Sequence, residues 1–347
     1  MTPSELEAQV ISPLAAFYQQ VEQQPDRVAY IQPYAGGVIK QWRWAEVADE
    51  AERVASHLLA QGLQRGDRVI LFSKNCAHWI MADLAIWMAG GVTVPLYPNL
   101  AAETIRQIIE HSGANYAFVG KLDNFEAMAP GLPETLPIIR FPDAPEITDS
   151  SDWETILTSS EPLAERTEPD MGELATIVYT SGTTGMPKGV MHSFRTVGNT
   201  GILSGLLYDA NANDRCLSYL PLAHVAERAA LETAQLYSGF TVYFAYSLDT
   251  FAEDLQRARP TLFFAVPRIW MKFQQGVLAK VGESKLSFLK RLPILGNIIR
   301  RKLLEGLGLD QTRVALSGAS PLSISLIGWY RDLGLEIQEG YGMTENF

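Results

Sequence analysis

Along the first 120 positions, apolar residues recur in two rhythms, one helical and one extended. Leu14, Phe17, Tyr18 and Val21 fall at helical spacing, and Pro25-Asp26 stops that run. Residues 28–31 and 39–44 read as two strands around a turn at Gly36-Gly37. The pattern then predicts a helix over 45–61, a buried strand over 67–73 and a helix over 75–89 broken at Gly90-Gly91. A strand over 92–96, a helix over 104–111 and a strand over 116–119 complete this portion. Strands alternating with helices in this way predict an α/β fold with a parallel, doubly wound sheet.

From 123 to about 171 the periodicity weakens, and prolines at 130, 133, 137, 142, 145, 162 and 169 punctuate it. This is the signature of a partly ordered connection between a first α/β portion (1–122) and a second (172–347). In the second portion, strands are predicted over 216–219, 241–244, 261–266, 314–317 and 336–340. Helices are predicted over 195–207, 226–237, 248–257 and 323–333, and no internal repeat has a fixed period.

One stretch changes the picture from fold to chemistry. After the strand-like Thr176, Ile177 and Val178 comes YTSGTTGMPKGV, residues 179–190. Thr180, Ser181, Thr183 and Thr184 offer hydroxyls, Gly182, Gly185 and Gly189 free the backbone, and Lys188 adds a positive charge. Backbone N–H groups and hydroxyls on an open loop form a concave donor surface suited to a polyphosphate. A Walker A loop is excluded, because Pro187 precedes the lysine and Gly189 follows it. Composition alone suits a surface linker, yet a linker does not normally leave a buried strand and run through Pro-Lys-Gly-Val into a further apolar stretch.

The bulk properties narrow the partners. Net charge is −11, from 28 basic and 39 acidic residues, which argues against nucleic acid as the main partner. Cys76 and Cys216 are too few for a disulfide framework and suit a reducing cytoplasm, as packing residues. The first residues, MTPSELEAQV, lack the pattern of a signal peptide. The best candidate for a membrane span, 79–94, is short and carries Asp83 and two glycines, so a soluble protein is expected.

The 179–190 string resembles the signature loop of the adenylate-forming superfamily, which includes acyl-CoA synthetases, luciferases and peptide-synthetase adenylation domains. The resemblance runs from about residue 14 to the end. Three stretches look closest to long-chain fatty acyl-CoA synthetases: YLPLAHVAER (219–228), VPRIW (266–270) and SGASPLS with EGYGMTE (317–323, 339–345). It implies two doubly wound, largely parallel-sheet subdomains of the kind that form the N-terminal domain of such enzymes. It also implies activation of a medium- to long-chain fatty acid by ATP to an acyl-adenylate, with Mg²⁺, followed by transfer to coenzyme A.

By this resemblance, Thr180, Ser181, Gly182, Thr183, Thr184, Gly185 and Lys188 cradle the phosphates of ATP. Gly318, Ala319 and Ser320 line the acyl and adenine pockets, while Glu339, Gly340, Tyr341 and Gly342 border the purine, with the tyrosine supplying a flat face. Thr344 meets the α-phosphate and Glu345 is the Mg²⁺ ligand, a hard oxygen beside substrate phosphates. A lone histidine is more often a core residue, but the Pro-Leu-x-His context implies that His224 lies near the carboxylate as a wall or orienting group. Lys188, His224 and Thr344 thus stand nearest the reacting atoms. Arg268 reads equally as a salt-bridged helix-start residue or as a ligand contact.

Members of this superfamily continue past the glutamate with a Tyr-x-Thr-Gly-Asp stretch, a hinge and a mobile C-terminal domain bearing a catalytic lysine. The chain is therefore expected to be the larger N-terminal part of a longer enzyme, with weak nucleotide binding and poor turnover by itself. Two other readings compete: a ligase that delivers its acyl group to a carrier protein, and a silent nucleotide- or acyl-binding module, against which Lys188 and Glu345 both stand. The basic, apolar stretch 285–302 suits peripheral contact with an anionic membrane, or equally a solvated helix pair broken at Pro293 and Gly296.

Overall fold

The computed structural model describes residues 10–180, 186–282 and 295–347. Its largest sheet has seven strands in the order β7-β6-β5-β3-β4-β8-β9. These are β3 (Arg68–Phe72), β4 (Val92–Leu96), β5 (Tyr116–Val119), β6 (Ile138–Arg140), β7 (Ser151–Asp152), β8 (Leu174–Thr180) and β9 (Lys188–Ser193). All neighbours are parallel except β8 and β9, which form an antiparallel hairpin. A second sheet, β10-β11-β1-β2, joins β10 (Arg215–Ser218), β11 (Thr241–Phe244), β1 (Val28–Pro33) and β2 (Ile39–Arg43). A third is fully parallel: β12 (Leu262–Ala265), β13 (Val314–Ser317) and β14 (Ile337–Glu339). It starts beside β10, where the Thr261 N–H donates to Arg215 O at 2.9 Å.

Helix Ala77–Met88 lies between β3 and β4 on one side and β1 on the other, and all of its residues are buried. A helix that is apolar all round can be stable only when covered all round. Besides His78 its one polar residue is Asp83, whose carboxylate is fully buried and meets the guanidinium of Arg228, itself 1 % exposed. Arg228 also donates to Thr176 Oγ1 on β8 at 2.7 Å and to Glu232 at 2.8 Å. A separate core under the third sheet centres on Trp270, whose indole N–H donates to Ala265 O while its own carbonyl accepts from the Tyr330 hydroxyl.

The α/β class with mostly parallel sheets follows the sequence expectation, and β4, β5, β11 and β13 match it to the residue. The sheets do not divide at residues 122 and 171, however. The expected connection contributes β6, β7 and helix Trp153–Ser159 to the edge of the seven-stranded sheet, with Trp153 buried. Strands of two and three residues are too short to show a period, so the prolines dominate the reading. β9 is not in the sequence expectation, helix Pro267–Val281 starts where Arg268 reads as a helix-start residue, and the helix expected over 226–237 is interrupted by a π turn at Arg228–Thr233. Of the basic stretch, Lys285, Lys290 and Arg291 lie outside the described residues, while Arg300, Arg301 and Lys302 stand on helix Leu295–Leu307. No described helix is long and apolar enough to cross a membrane.

The buried ion network gives a stability prediction. Arg228→Ala leaves Asp83 without its counter-charge in the interior, and removing one partner of a buried pair costs about 3–5 kcal/mol. The urea midpoint of the variant is expected to fall accordingly; a change within about 0.5 kcal/mol refutes the account.

Candidate functional site

In parallel sheets, ligands bind outside the carboxyl ends of the strands. A cavity of about 340 Å³ lies there, near the lower end of the range of about 300–1,000 Å³ for small-molecule sites. Its polar side brings together Thr180 at the end of β8, Pro187 just before β9, His224 after β10 and Thr344 after β14. Its apolar side comes from Pro95 on β4, Tyr97, Leu100 and Ile108. Three of the predicted residues, separated widely in the chain, therefore share one wall.

Lys188 pairs with Thr180 across the β8–β9 ladder, so it begins a strand rather than sitting within a loop. Its side chain is exposed and makes no ion pair among the described residues. Ser181, Gly182, Thr183, Thr184 and Gly185 lie outside the described residues. The hairpin is held tight behind them: a Cβ on Gly189 would come within 2.8 Å of Ile177 and 3.2 Å of the Tyr179 ring.

His224 caps the short helix Val225–Glu227, and its Nδ1 accepts the Ala226 N–H at 3.1 Å. An accepting Nδ1 cannot carry a proton, so the neutral ring holds its proton on Nε2. Burial lowers the pKa of the imidazole and favours that neutral form. The Tyr97 ring stands edge-on at 6.3 Å. The side chain is thus arranged as a hydrogen-bond donor to an anionic oxygen, which fits an orienting group.

Gly318 follows β13, where a Cβ would meet the Phe264 ring at 3.1 Å and Gly340 O at 3.4 Å; only glycine leaves the β13 and β14 ends this close. Ala319 has a left-handed backbone, φ 69°, and Ala319 and Ser320 are exposed. Glu339 accepts the Leu322 N–H at 2.8 Å, so its carboxylate secures this turn. Tyr341 is 91 % exposed between Gly340 and Gly342, leaving its ring face free. None of 318–320 or 339–342 lines the cavity that Thr180, His224 and Thr344 share.

Thr344–Asn346 forms a turn against β9, where the Phe347 ring packs on His192 at 4.9 Å and its carbonyl accepts from Thr200 Oγ1 at 3.0 Å. Glu345 is exposed and makes no ion pair with a described residue. Among the described residues no group of three acids, histidines or cysteines could hold a metal. That donor set suits Mg²⁺ shared with phosphates, which needs only one or two carboxylates, and does not suit an all-protein metal cage. Arg268, the second residue of its helix, is exposed and has no ion pair among the described residues.

A larger groove, about 1030 Å³, is lined by Arg65, Arg68, Trp87, His111 and Met191 at the opposite ends of β3 and β4. Gly189 of the signature loop lines this groove, but Thr180, Lys188, His224, Thr344 and Glu345 do not, and three of them meet in the smaller cavity. The sequence reading missed Tyr97 and Leu100 in that wall, and Asn75 and Glu227 behind His224. Tyr97 follows a predicted strand directly, and that position was the available signal.

The sequence matches the AMP-binding enzyme family over residues 17–347. It is 30 % identical, over 95 % of its length, to a long-chain-fatty-acid–CoA ligase of Mycobacterium bovis, of which it covers 60 %. It is 30 % identical, over 89 % of its length, to the peroxisomal long chain acyl-CoA synthetase 7 of Arabidopsis thaliana, of which it covers 49 %. The chain thus spans about half to three fifths of these curated relatives. Its fold is similar to the adenylation domain of a carboxylate reductase from Mycobacterium chelonae (TM-score 0.82, 23 % identity, 98 % of this chain and 60 % of that one). It also resembles the A domain of a carboxylic acid reductase from Segniliparus rugosus in complex with AMP and a co-purified carboxylic acid (TM-score 0.79, 22 % identity, 98 % and 62 % covered). With its signature loop, its converging cavity and a match over nearly its whole length, this chain belongs to the family of AMP-binding enzymes.

Proposed function

We propose that this chain carries the nucleotide and acid sites of an enzyme that joins a medium- to long-chain fatty acid to AMP and then to coenzyme A. The observation that carries the reading is the convergence of Thr180, Pro187, His224 and Thr344 on one cavity with an apolar far wall. A carboxylate is a poor acyl donor because its leaving group would be oxide. Attack of its oxygen on the α-phosphorus of ATP forms an acyl–phosphate bond and expels pyrophosphate. The coenzyme A thiol then attacks the acyl carbon, AMP leaves, and the thiol proton passes to solvent.

Charge grows on phosphoryl oxygens in the first step, and fixed donors there lower the barrier. Lys188, Thr180 and Thr344 supply the donors this chain offers, with Ser181 to Gly185 completing the cradle. The His224 Nε2–H orients the carboxylate, and Leu100 and Ile108 receive the start of the acyl chain. Gly318, Ala319 and Ser320 and the Tyr341 face take the adenine side, next to Glu339, Gly340 and Gly342. Mg²⁺, held by Glu345 and the phosphates, would neutralise part of the phosphate charge when bound.

ATP–pyrophosphate exchange across carboxylic acids from acetate to oleate, on this chain and on any longer form of it, tests the reading. Exchange that rises with acyl length is expected; exchange independent of added acid refutes it. Lys188→Ala is expected to slow exchange by about 10²–10³-fold, the usual loss of one transition-state donor. Tyr341→Ala is expected to weaken AMP by roughly threefold to tenfold in titration calorimetry, since an aromatic stack contributes about 0.5–1.5 kcal/mol. An unchanged AMP affinity removes the tyrosine from the purine site.

A further inference from the structure

Behind His224, the amide of Asn75 reaches from the seven-stranded sheet to the turn after β10. Asn75 follows β3, and its Nδ2 donates to Ser218 Oγ at 2.8 Å and to Leu220 O at 2.5 Å, while its Oδ1 accepts the Leu222 N–H at 3.0 Å. From the other side, the carboxyl of Glu227, 2 % exposed, accepts from Ser218 Oγ at 3.0 Å and from the Tyr219 N–H at 3.1 Å. Asn75 Nδ2 also lies 3.5 Å from this carboxyl. The turn from Ser218 to Leu222 is therefore gripped on both faces. His224 is the next fixed point, its N–H on Pro221 O and its carbonyl accepting from Glu227 and Arg228.

We infer that Asn75 and Glu227 act as a cross-sheet clamp that positions the His224 imidazole, with its Nε2–H toward the cavity, for recognition of the substrate carboxylate. The inference rests on the acid-activating reading above. The clamp uses every strong polar position of the asparagine, and alanine or aspartate at 75 loses the donors. Glutamine at 227 keeps the acceptor oxygen and so preserves the grip. Burial pushes the Glu227 carboxyl up to about 8, far above its ordinary 4.5. The titratable groups facing it are buried Cys216 and half-buried Tyr219, both raised by burial, and the Asn75 side brings no charge. Because the folded chain holds this proton where the unfolded chain has lost it, the wild type loses stability as pH rises from about 5 through 8.

The test uses this chain, its Asn75→Ala, Asn75→Asp and Glu227→Gln variants, and two probes: AMP and the unreactive mimic dodecanoyl-sulfamoyl adenosine. Nitrogen-15 spectra of the five histidines report the His224 tautomer without any ligand. For the wild type and Glu227→Gln, a fixed Nε2–H signature is expected. For both Asn75 variants, the signature averages between tautomers, the mimic binds at least about tenfold weaker, and AMP changes by less than about threefold. If Asn75→Ala fails to fold, Asn75→Asp, which matches asparagine in size, carries the same comparison. From pH 5 to 9, Glu227→Gln gains in urea midpoint relative to the wild type. Asn75 variants that keep both tautomer and mimic affinity overturn the clamp, as does a pH-independent midpoint difference. A wild type that binds neither probe but shows the tautomer change overturns the functional reading and leaves the clamp standing.

Discussion

The arrangement of this molecule depends on a buried guanidinium. Arg228 lies over the indoles of Trp79 and Trp87, at 5.3 and 5.8 Å, and donates to Asp83 on the same helix, to Thr176 on β8 and to Glu232 one turn on. Thr176 passes the chain of bonds to Thr93 O on β4 at 2.9 Å, and the Thr93 hydroxyl returns it to Asp83. A sealed interior makes two full negative charges beside one positive charge costly. Burial raises the Glu232 pKa well above the carboxylate range, so a neutral Glu232 leaves Arg228 and Asp83 as a balanced pair. Apolar residues of equal volume stabilise many cores at least as well. What the ionic version adds here is direction: it ties the segment after His224 to the strand that ends in Thr180.

That tie explains why a site can be assembled from four distant stretches. The parallel strands deliver their carboxyl ends to one side, but the seven-stranded sheet and the β10 sheet are separate bodies of hydrogen bonds. Without a link between them, Thr180 and His224 would be free to shift relative to one another. Arg228 fixes the far side of the junction and Asn75 the near side, within the same turn and helix, 218–233. The π turn Arg228–Thr233 begins at Arg228 itself, in keeping with the tendency of such widened turns to occur where a helix is adapted to a site.

How much of this was legible in the sequence divides along physical lines. Long periodic segments and chemically unusual strings could be read directly, because helix period, strand alternation and a hydroxyl–glycine–lysine run are local properties. β9 was hidden because its polarity is inverted, with the apolar Met191 65 % exposed and the polar His192 buried beside it. The strands of the 123–171 region were too short to display any period. The partners of Asn75 lie 143 to 147 residues away, and Arg228 reaches 145 residues to Asp83. An arginine at 228 and one aspartate in a largely apolar helix are each visible in a sequence, but their meeting is a property of the fold.

The cavity itself shows how the fold divides labour between its elements. Its polar donors come from segments after β8, β10 and β14, each held by hydrogen bonds to neighbouring backbone. Its apolar wall comes from β4 and the helix Ala102–Ser112, where Thr104 and Ile108, one turn apart, face the same space. A ligand satisfying both walls needs an anionic head and a hydrocarbon body joined at one point. A fatty carboxylate, the substrate proposed above, has that shape. An apolar wall gains nothing from the hydrophobic effect against a small polar acid, which is why the wall of Leu100 and Ile108 supports the proposed substrate class. On that proposal, chain-length selection falls to the β4 side, because the donors of the opposite wall would meet a head group that every carboxylic acid shares.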